Sequence, residues 1–300
     1  MKRCRIVFNG MLADLHLHTY FSDGTYSPEE LVGHACRVGL TAIALTDHDT
    51  VEGCERASAA AVAVGLQFIP GAELTAEFQG MELHLLAYCI DVRHARLLSE
   101  TSKYQSIRQD RIREMVERLN RLDIPLNAQA VFDLANCQSP GRPHVARALV
   151  QAGFCGSLDE AFERFLKRNR PAWVPKTKVS ARDAIALVHE AGGVAVMAHP
   201  GLNRSDEMIP ALVEAGLDGI ECFHTKHSTT AAERYLGMAE RYKLLVTGGS
   251  DCHGMSKGKP LIGSVKVPFN LVEALRSKAT EVRRSATSAG ASTNPLPPSS

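Results

Sequence analysis

At 300 residues, 45% hydrophobic and 22% charged, the chain is long enough for one large or two modest packed domains. A net charge of +1 excludes a general electrostatic attraction to nucleic acid or membrane, and no apolar run approaches the roughly 20 residues of a membrane span. The 8 cysteines are scattered without a C-x-x-C pair, which excludes a disulfide framework and reads as reduced thiols in a cytoplasmic protein.

The opening MKRCRIVFNGML is basic and then briefly apolar, too short and interrupted for a signal peptide, and reads as a leader into the first strand. ADLHLH (13–18) reads as that strand. SPEE (27–30) then opens a helix, with Ser27 as N-cap, Pro28 at the first helical position and Glu30 completing a capping box; Gly39 ends it. TAIALTD (41–47) predicts a buried strand, followed by an Ala- and Val-rich helix to Gly65. QFIPGAEL (67–74) and MELHLLAYCI (81–90) predict two more strands around a turn at Gly80.

The alternation then breaks into a charged, mostly helical stretch over 94–172. It resumes with a helix capped by Ser180 and running to Gly192, then strands at VAVMAHP (194–200), DGIECF (218–223) and LLVTGGSD (244–251). Helices ending near Gly216 and spanning 229–241 separate them, and a last helix over 270–284 has Asn270 as its cap. Apolar strands alternating with helices predict a parallel sheet covered by helices, and seven or so of them predict a barrel. The domain reading is a barrel from 11–93 and 173–284, a helical insertion over 94–172 and a disordered Pro- and Ser-rich tail over 285–300.

Chemistry in α/β barrels collects at the C-terminal ends of the strands. His16 and His18, two apart, share one face of a strand, with Asp23 on the loop beyond. His48 in LTDHDT, Glu73 in PGAEL, His199 in VMAHPG, and Asp251 and His253 in GGSDCHG stand at later strand ends; His84 lies within its strand. One histidine at such a place reads as a satisfied core group. This many require a metal, because buried imidazoles and carboxylates are costly when unpaired. Asp251 and His253 repeat the spacing of the first pair, which turns Cys252 away as a bystander. Asp14 and Asp47 are candidate acceptors that orient imidazoles from behind, and Asp49 reads equally as a strand-end or capping residue.

An H-x-H near the start, a D-H after the second strand, an isolated Glu, an A-H-P and a final D-x-H, in that order across about residues 11–260, resemble the PHP (polymerase and histidinol phosphatase) superfamily of metal-dependent phosphoesterases. GRPHVARALV in the insertion and the later WVPKTKVSARDAI resemble the branch of nucleoside-3′,5′-bisphosphate phosphatases and 5′-to-3′ exoribonucleases. The resemblance implies an α/β fold, a distorted (β/α)7 barrel with an inserted helical subdomain, and three divalent ions. His16, His18, Glu73 and Asp251 would hold the first. Glu73 would bridge to a second that also takes His84 and His199, and Asp23, His48 and His253 would hold the third. Mixed nitrogen and oxygen ligands suit Mn²⁺, expected first, or Zn²⁺ or Fe²⁺, better than Mg²⁺.

Three divalent ions outweigh the three carboxylates and leave a positive site for a phosphate ester and an activated hydroxide. The expected reaction removes the 3′-phosphate of 3′,5′-bisphosphate nucleotides such as pAp, or releases nucleotides from short 5′-phosphorylated RNA. Alternatives are a phosphatase of the histidinol phosphate type and a non-catalytic PHP metal-binding module. No membrane and no obligate protein partner is implied. Arg142 and His144 are candidates to clamp a second phosphate. His224 and His227 are candidates to contact substrate or protonate the leaving oxygen. Arg108, Arg111, Lys176 and Lys178 read individually as solvated charges.

Overall fold

A computed structural model describes residues 10–175, 179–203, 206–256 and 258–291. Strands and helices alternate at first: β1 (Leu12–Asp14), α1 (Pro28–Arg37), β2 (Ala42–Leu45), α2 (Cys54–Val64), β3 (Gln67–Phe78) and β4 (Met81–Tyr88). Next come α3 (Ala95–Asn120), α4 (Ala128–Ala135), α5 (Arg142–Gln151), α6 (Leu158–Ala161) and a π-helical turn at Phe162–Leu166. The remainder is α7 (Ala181–Glu190), β5 (Val194–Met197), α8 (Pro200–Asn203), α9 (Ile209–Glu214), β6 (Gly219–His224), α10 (Thr229–Tyr242), β7 (Leu245–Gly249), β8 (Val267–Pro268) and α11 (Asn270–Ala291).

Local chemistry sets many of these boundaries. At the start of α1 the Glu30 N–H donates to Ser27 Oγ at 3.1 Å and the Ser27 N–H to Glu30 Oε2 at 2.8 Å, so the expected capping box is closed. Two expected caps take another form. Ser180 precedes α7 but makes no side-chain capping bond; its extended backbone bridges to Glu77 instead. Asn270 is the first residue inside α11, where the Phe269 carbonyl receives the N–H groups of Val272 and Glu273. That helix runs to Ala291 rather than stopping at 284. Alanines extend it, and Ser285, Thr287 and Ser288 fold their hydroxyls back onto carbonyls one turn earlier. Residues 292–300, the rest of the expected tail, lie outside the described residues.

Among the described residues eight strands form one sheet in the order β7-β6-β5-β4-β3-β2-β1-β8. Its ends nearly close into a barrel: the Leu15 N–H donates to the Gly248 carbonyl at 3.2 Å, and Leu17 pairs with Cys252 in a parallel bridge. The apolar strands predict a parallel sheet, but the sheet is mixed. β4 runs antiparallel to both β3 and β5. The cause is the two-residue loop at Gln79 and Gly80, both with positive φ (51° and 83°), as the tightest hairpin turns require. The short β8 also pairs antiparallel with β1.

Alternate strand residues divide between two apolar layers. Ala13, Leu15, Ala42, Ala44, Leu86, Tyr88, Val194 and Val196 pack together with Val272, Leu275 and Ala279 of α11. Ile43, Leu45, Leu74, Leu85, Met197 and Ile220 face α1, α2, α7 and α10. Helices α3–α6 bury a separate cluster around Met115, Leu119, Val131, Val145 and Leu149. Among the described residues no helix is long and apolar enough to cross a membrane.

Gly249 marks where β7 meets the chain leaving β1: a Cβ there would stand 2.3 Å from the His16 nitrogen and 2.4 Å from its Cβ. Gly249→Ala is expected to lower stability by about 1–3 kcal/mol, because this backbone contact leaves no room for an added methyl. Urea denaturation measures it, and an unchanged midpoint would contradict the close approach.

Candidate metal centre

The nine metal-ligand candidates from all parts of the barrel arrive at one place. β1 ends at Asp14, and the extended chain beyond it carries His16 and His18, both fully buried. His48 follows β2. Glu73 and His84 are diagonal neighbours across the β3–β4 hairpin, Glu73 lying opposite Leu86 and His84 opposite Thr75. His199 follows β5, and Asp251 and His253 follow β7. His199 and Asp251 take positive φ, 26° and 53°, a region L residues avoid and which costs of order 1–3 kcal/mol when held.

Glu73 is the hub. Its Oε2 stands 3.2 Å from His16 Nε2, 3.3 Å from His18 Nε2 and 3.2 Å from His48 Nδ1. Its Oε1 stands 2.6 Å from His84 Nδ1 and 2.9 Å from His199 Nε2. Asp251 Oδ1 lies 3.4 Å from His16 Nε2 and 3.2 Å from His18 Nε2. On the far side of His18, whose ring stacks on His253 at 4.1 Å, His253 Nε2 meets Asp23 Oδ1 at 3.1 Å and His48 Nε2 lies 4.0 Å from Asp23 Oδ2. Among the described residues four groups of donor atoms, each within 4.8 Å of one another, result: His16, His18, Glu73 and Asp251; His48, Glu73 and His84; His18, Asp23, His48 and His253; and His16, Glu221 and His224.

Hydrogen bonding alone leaves this cluster unsatisfied. Among the described residues, Nδ1 of His18 and Nδ1 of His199 are buried without a hydrogen-bond partner, while His18 Nε2, His48 Nδ1 and Asp23 Oδ1 meet their charged neighbours at 3.1–3.3 Å outside hydrogen-bond geometry. Each unpartnered atom costs about 1–3 kcal/mol. The spacings around Glu73 Oε2 and Asp251 Oδ1, 3.2–3.4 Å, suit ligands sharing one ion: bonds of about 2.0–2.2 Å set neighbouring donors roughly 3.0–3.5 Å apart. The donor set therefore fits divalent cations.

The electrostatics agree. Burial pushes the Glu73 carboxyl upward, but the imidazoles of His48, His84 and His16 outweigh it and hold the group well below the usual carboxylate range. Asp251 and Asp23 are likewise held low against burial, each first by His253. Burial opposes charge on His18, yet Asp251 and Glu73 hold its imidazole up to about 10.

The substrate candidates fare unevenly. His224 is buried beside the cluster, its Nε2 3.4 Å from Asp251 Oδ2 but without a hydrogen-bond partner. Its Nδ1 accepts the Lys226 N–H at 3.1 Å, so in the neutral ring the proton sits on Nε2. His227 does not join the cluster: Nδ1 donates to the Cys222 carbonyl at 2.9 Å and Nε2 accepts the Gly201 N–H at 3.2 Å. With both nitrogens engaged by backbone, it has no proton to offer a leaving oxygen, which corrects the catalytic expectation.

His144 is buried, its Nδ1 takes the Gly141 N–H at the start of α5, and burial lowers its pKa to about 4, which favours the neutral ring. The side chain of Arg142 beside it is half-buried, has Glu82 as its opposite charge, and makes no hydrogen bond among the described residues. Arg108 and Arg111 are not solvated but buried. Arg108 binds Asp49 at 2.5 Å, and Arg111 donates to the Val174 carbonyl, its pKa lowered by burial to about 9. Lys176 and Lys178 lie outside the described residues.

Asp14 and Asp47 orient loops rather than imidazoles. Asp14 accepts the N–H groups of Ser250 and Gly263, and Asp47 holds Thr19 and Ser22. Asp49 fastens Thr75 and Arg108. Cys252 is buried in its bridge to Leu17, as a bystander would be. The residue that sequence reasoning missed is Glu221, fully buried in β6 and 3.0 Å from His16 Nδ1. Its only signal was an acidic residue inside the apolar run DGIECF.

Comparison with known proteins gives a consistent picture. The PHP domain family model matches residues 14–122. A 5′-3′ exoribonuclease of Haemophilus influenzae is 34% identical over 251 residues, 80% of this chain and 89% of the relative. A 3′,5′-nucleoside bisphosphate phosphatase of Chromobacterium violaceum is 32% identical over 263 residues, 83% of this chain and 90% of the relative. A crystal structure of a Bifidobacterium adolescentis protein assigned to the metal-dependent phosphoesterases superposes with a TM-score of 0.82 at 36% identity, covering 88% of this chain and 94% of that one.

Because the metal-free carboxylates hold His18 protonated at pH 7, a cation that takes its lone pair must displace that proton. Adding Mn²⁺ to the metal-free protein in weakly buffered solution at pH 7 is expected to release at least about one proton per chain, with weaker metal binding as the pH falls. A pH electrode reads the release directly; no release on binding would contradict this charge state.

Proposed function

The chain belongs to the PHP family of metal-dependent phosphoesterases, and on that premise we propose that it hydrolyses nucleotide phosphate esters carrying a second phosphate: the 3′-phosphate of 3′,5′-bisphosphate nucleotides such as pAp, and the first phosphodiester of short 5′-phosphorylated RNA. The observation that carries the reading is the convergence of five imidazoles on the two oxygens of Glu73. The names of the two relatives supply the substrate classes.

In this reading His16, His18, Glu73 and Asp251 hold one ion, Glu73, His84 and His199 a second, and Asp23, His48 and His253 a third. Manganese is the proposed metal, since mixed imidazole and carboxylate donors suit it better than magnesium. Ions bound there supply Lewis acidity and acidify a coordinated water to a pKa of about 7. The protein's own groups do the rest. Glu73, whose two oxygens face different imidazoles, would be the donor common to the first two ions. His224 holds its Nε2 proton buried beside the cluster, 3.4 Å from Asp251 Oδ2, from where it would donate a hydrogen bond to a phosphoryl oxygen that reached it. Arg142, in the first turn of α5 and without a hydrogen-bond partner among the described residues, can take the second phosphate through paired N–H groups. The same α5 anchors the metal side, because Arg147 donates to the Asp23 carbonyl at 2.9 Å.

The test compares four substrates with the Mn²⁺-loaded protein: pAp, a 5′-phosphorylated trinucleotide, its 5′-hydroxyl form and histidinol phosphate. Hydrolysis of the first two well above the others is expected. Arg142→Ala is expected to raise KM for both about 10–100-fold with kcat largely kept, the loss of one charged hydrogen-bonding partner. Faster hydrolysis of histidinol phosphate than of either nucleotide would contradict the reading.

A further inference from the structure

Glu221 belongs to no ligand set proposed above, yet its carboxylate touches two of them. Its Oε1 accepts from His16 Nδ1 at 3.0 Å, and its Oε2 accepts the backbone N–H of His199 at 2.7 Å. We propose that Glu221 is the positioning residue that couples the first and second ions: one oxygen fixes the tautomer and aim of His16, and the other holds the strained backbone that aims His199. The inference rests on the reading that the cluster binds divalent ions.

The geometry of β6 brings it there. On a regular strand Glu221 and His224, three apart, would point to opposite faces. The pairing of β6 with β7 slips between them: Glu221 lies opposite Thr247 and Phe223 opposite Gly248, so Cys222 is an extra residue. Such a bulge re-aims side chains beside active sites. Here both residues reach His16, Glu221 through the hydrogen bond and His224 with its ring centroid 6.1 Å away.

Chemistry then separates positioning from ligation. A carboxylate can only accept, so Nδ1 of His16 carries a proton toward Glu221; Nε2 also faces carboxylate oxygens, Glu73 Oε2 and Asp251 Oδ1, and would give its proton up to an ion placed between them, leaving the ring protonated at Nδ1 alone. His224 Nδ1 is already an acceptor for the Lys226 N–H, which leaves its Nε2 protonated and unsuited to an ion. The trio of His16, Glu221 and His224 is therefore not a fourth metal site, although its donor atoms lie close together. At His199 the φ of 26° turns the chain from β5 into α8 and leaves Nε2 2.9 Å from Glu73 Oε1. The Glu221 bond is what holds that N–H in place.

Glu221→Gln keeps the size but offers only one accepting atom, so one of the two N–H groups loses its partner. Metal binding is read without substrate, by titrating metal-free wild type and variant with Mn²⁺ and counting bound ions by elemental analysis. The variant is expected to need about 10–100-fold more free Mn²⁺ for half-saturation, with more than one ion affected. A binding curve superimposable on that of the wild type would overturn the inference while leaving the phosphoesterase reading intact; a wild type that binds no ion would end both. A second measurement needs no variant. Long-range ¹⁵N NMR of the Zn²⁺-loaded wild type should find His16 protonated at Nδ1 and bare at Nε2, and the reverse tautomer would overturn the proposal.

Discussion

Five imidazoles pressed against one buried carboxylate form an arrangement that water-excluded protein groups cannot satisfy among themselves. The two oxygens of Glu73 accept about four hydrogen bonds at most, and none of the surrounding rings reaches bulk solvent freely. Buried charge without close compensation costs several kcal/mol. Cations placed between nitrogen and oxygen donors turn the same crowding into coordination. Much of the barrel's local irregularity serves that end: the left-handed turns at His199 and Asp251, the side-chain-free Gly249 against His16, and the bulge that delivers Glu221.

The helices between β4 and β5 are fastened to the site as well as to their own core. Arg108 of α3 reaches Asp49, which in turn holds Thr75 on β3. Ser139 donates to the His48 carbonyl, Cys137 to the Ser22 carbonyl at 3.1 Å and Arg147 to the Asp23 carbonyl. The loops carrying Asp23 and His48 are thus held from the helical side, and Glu73 and His84 from the barrel side. A substrate bridging the two, with one phosphate at the ions and another at Arg142, would meet a surface already joined by hydrogen bonds. Displacement of α5 would be felt first at Asp23.

What could be read from the sequence was what is local or periodic. Two residues apart on an extended chain means one face, which located His16 with His18; the same spacing pointed to Asp251 and His253, although the left-handed φ of Asp251 breaks the extended run there. The Ser27–Glu30 spacing gave the start of α1, and Gly65 with its φ of 72° the end of α2. The direction of β4 was not legible from its apolar content, since a buried strand looks alike in either sense; only the Gln79–Gly80 turn decides it. Burial of Arg108 and Arg111 depends on partners 59 and 63 residues away in the chain. Glu221 escaped because its meaning comes from a register slip against β7, which no pattern within DGIECF encodes. His227 looked catalytic by proximity to a strand end, and only its two backbone hydrogen bonds removed it.

The account stands on cations lying between Glu73 and its imidazoles. Anomalous diffraction at the manganese edge from a crystal soaked in Mn²⁺ measures this most directly. It should give peaks within about 2.0–2.3 Å of both Glu73 oxygens, each peak also bound by imidazole nitrogen. Density free of anomalous signal around Glu73, with the histidines hydrogen-bonded to one another or to water, would contradict it.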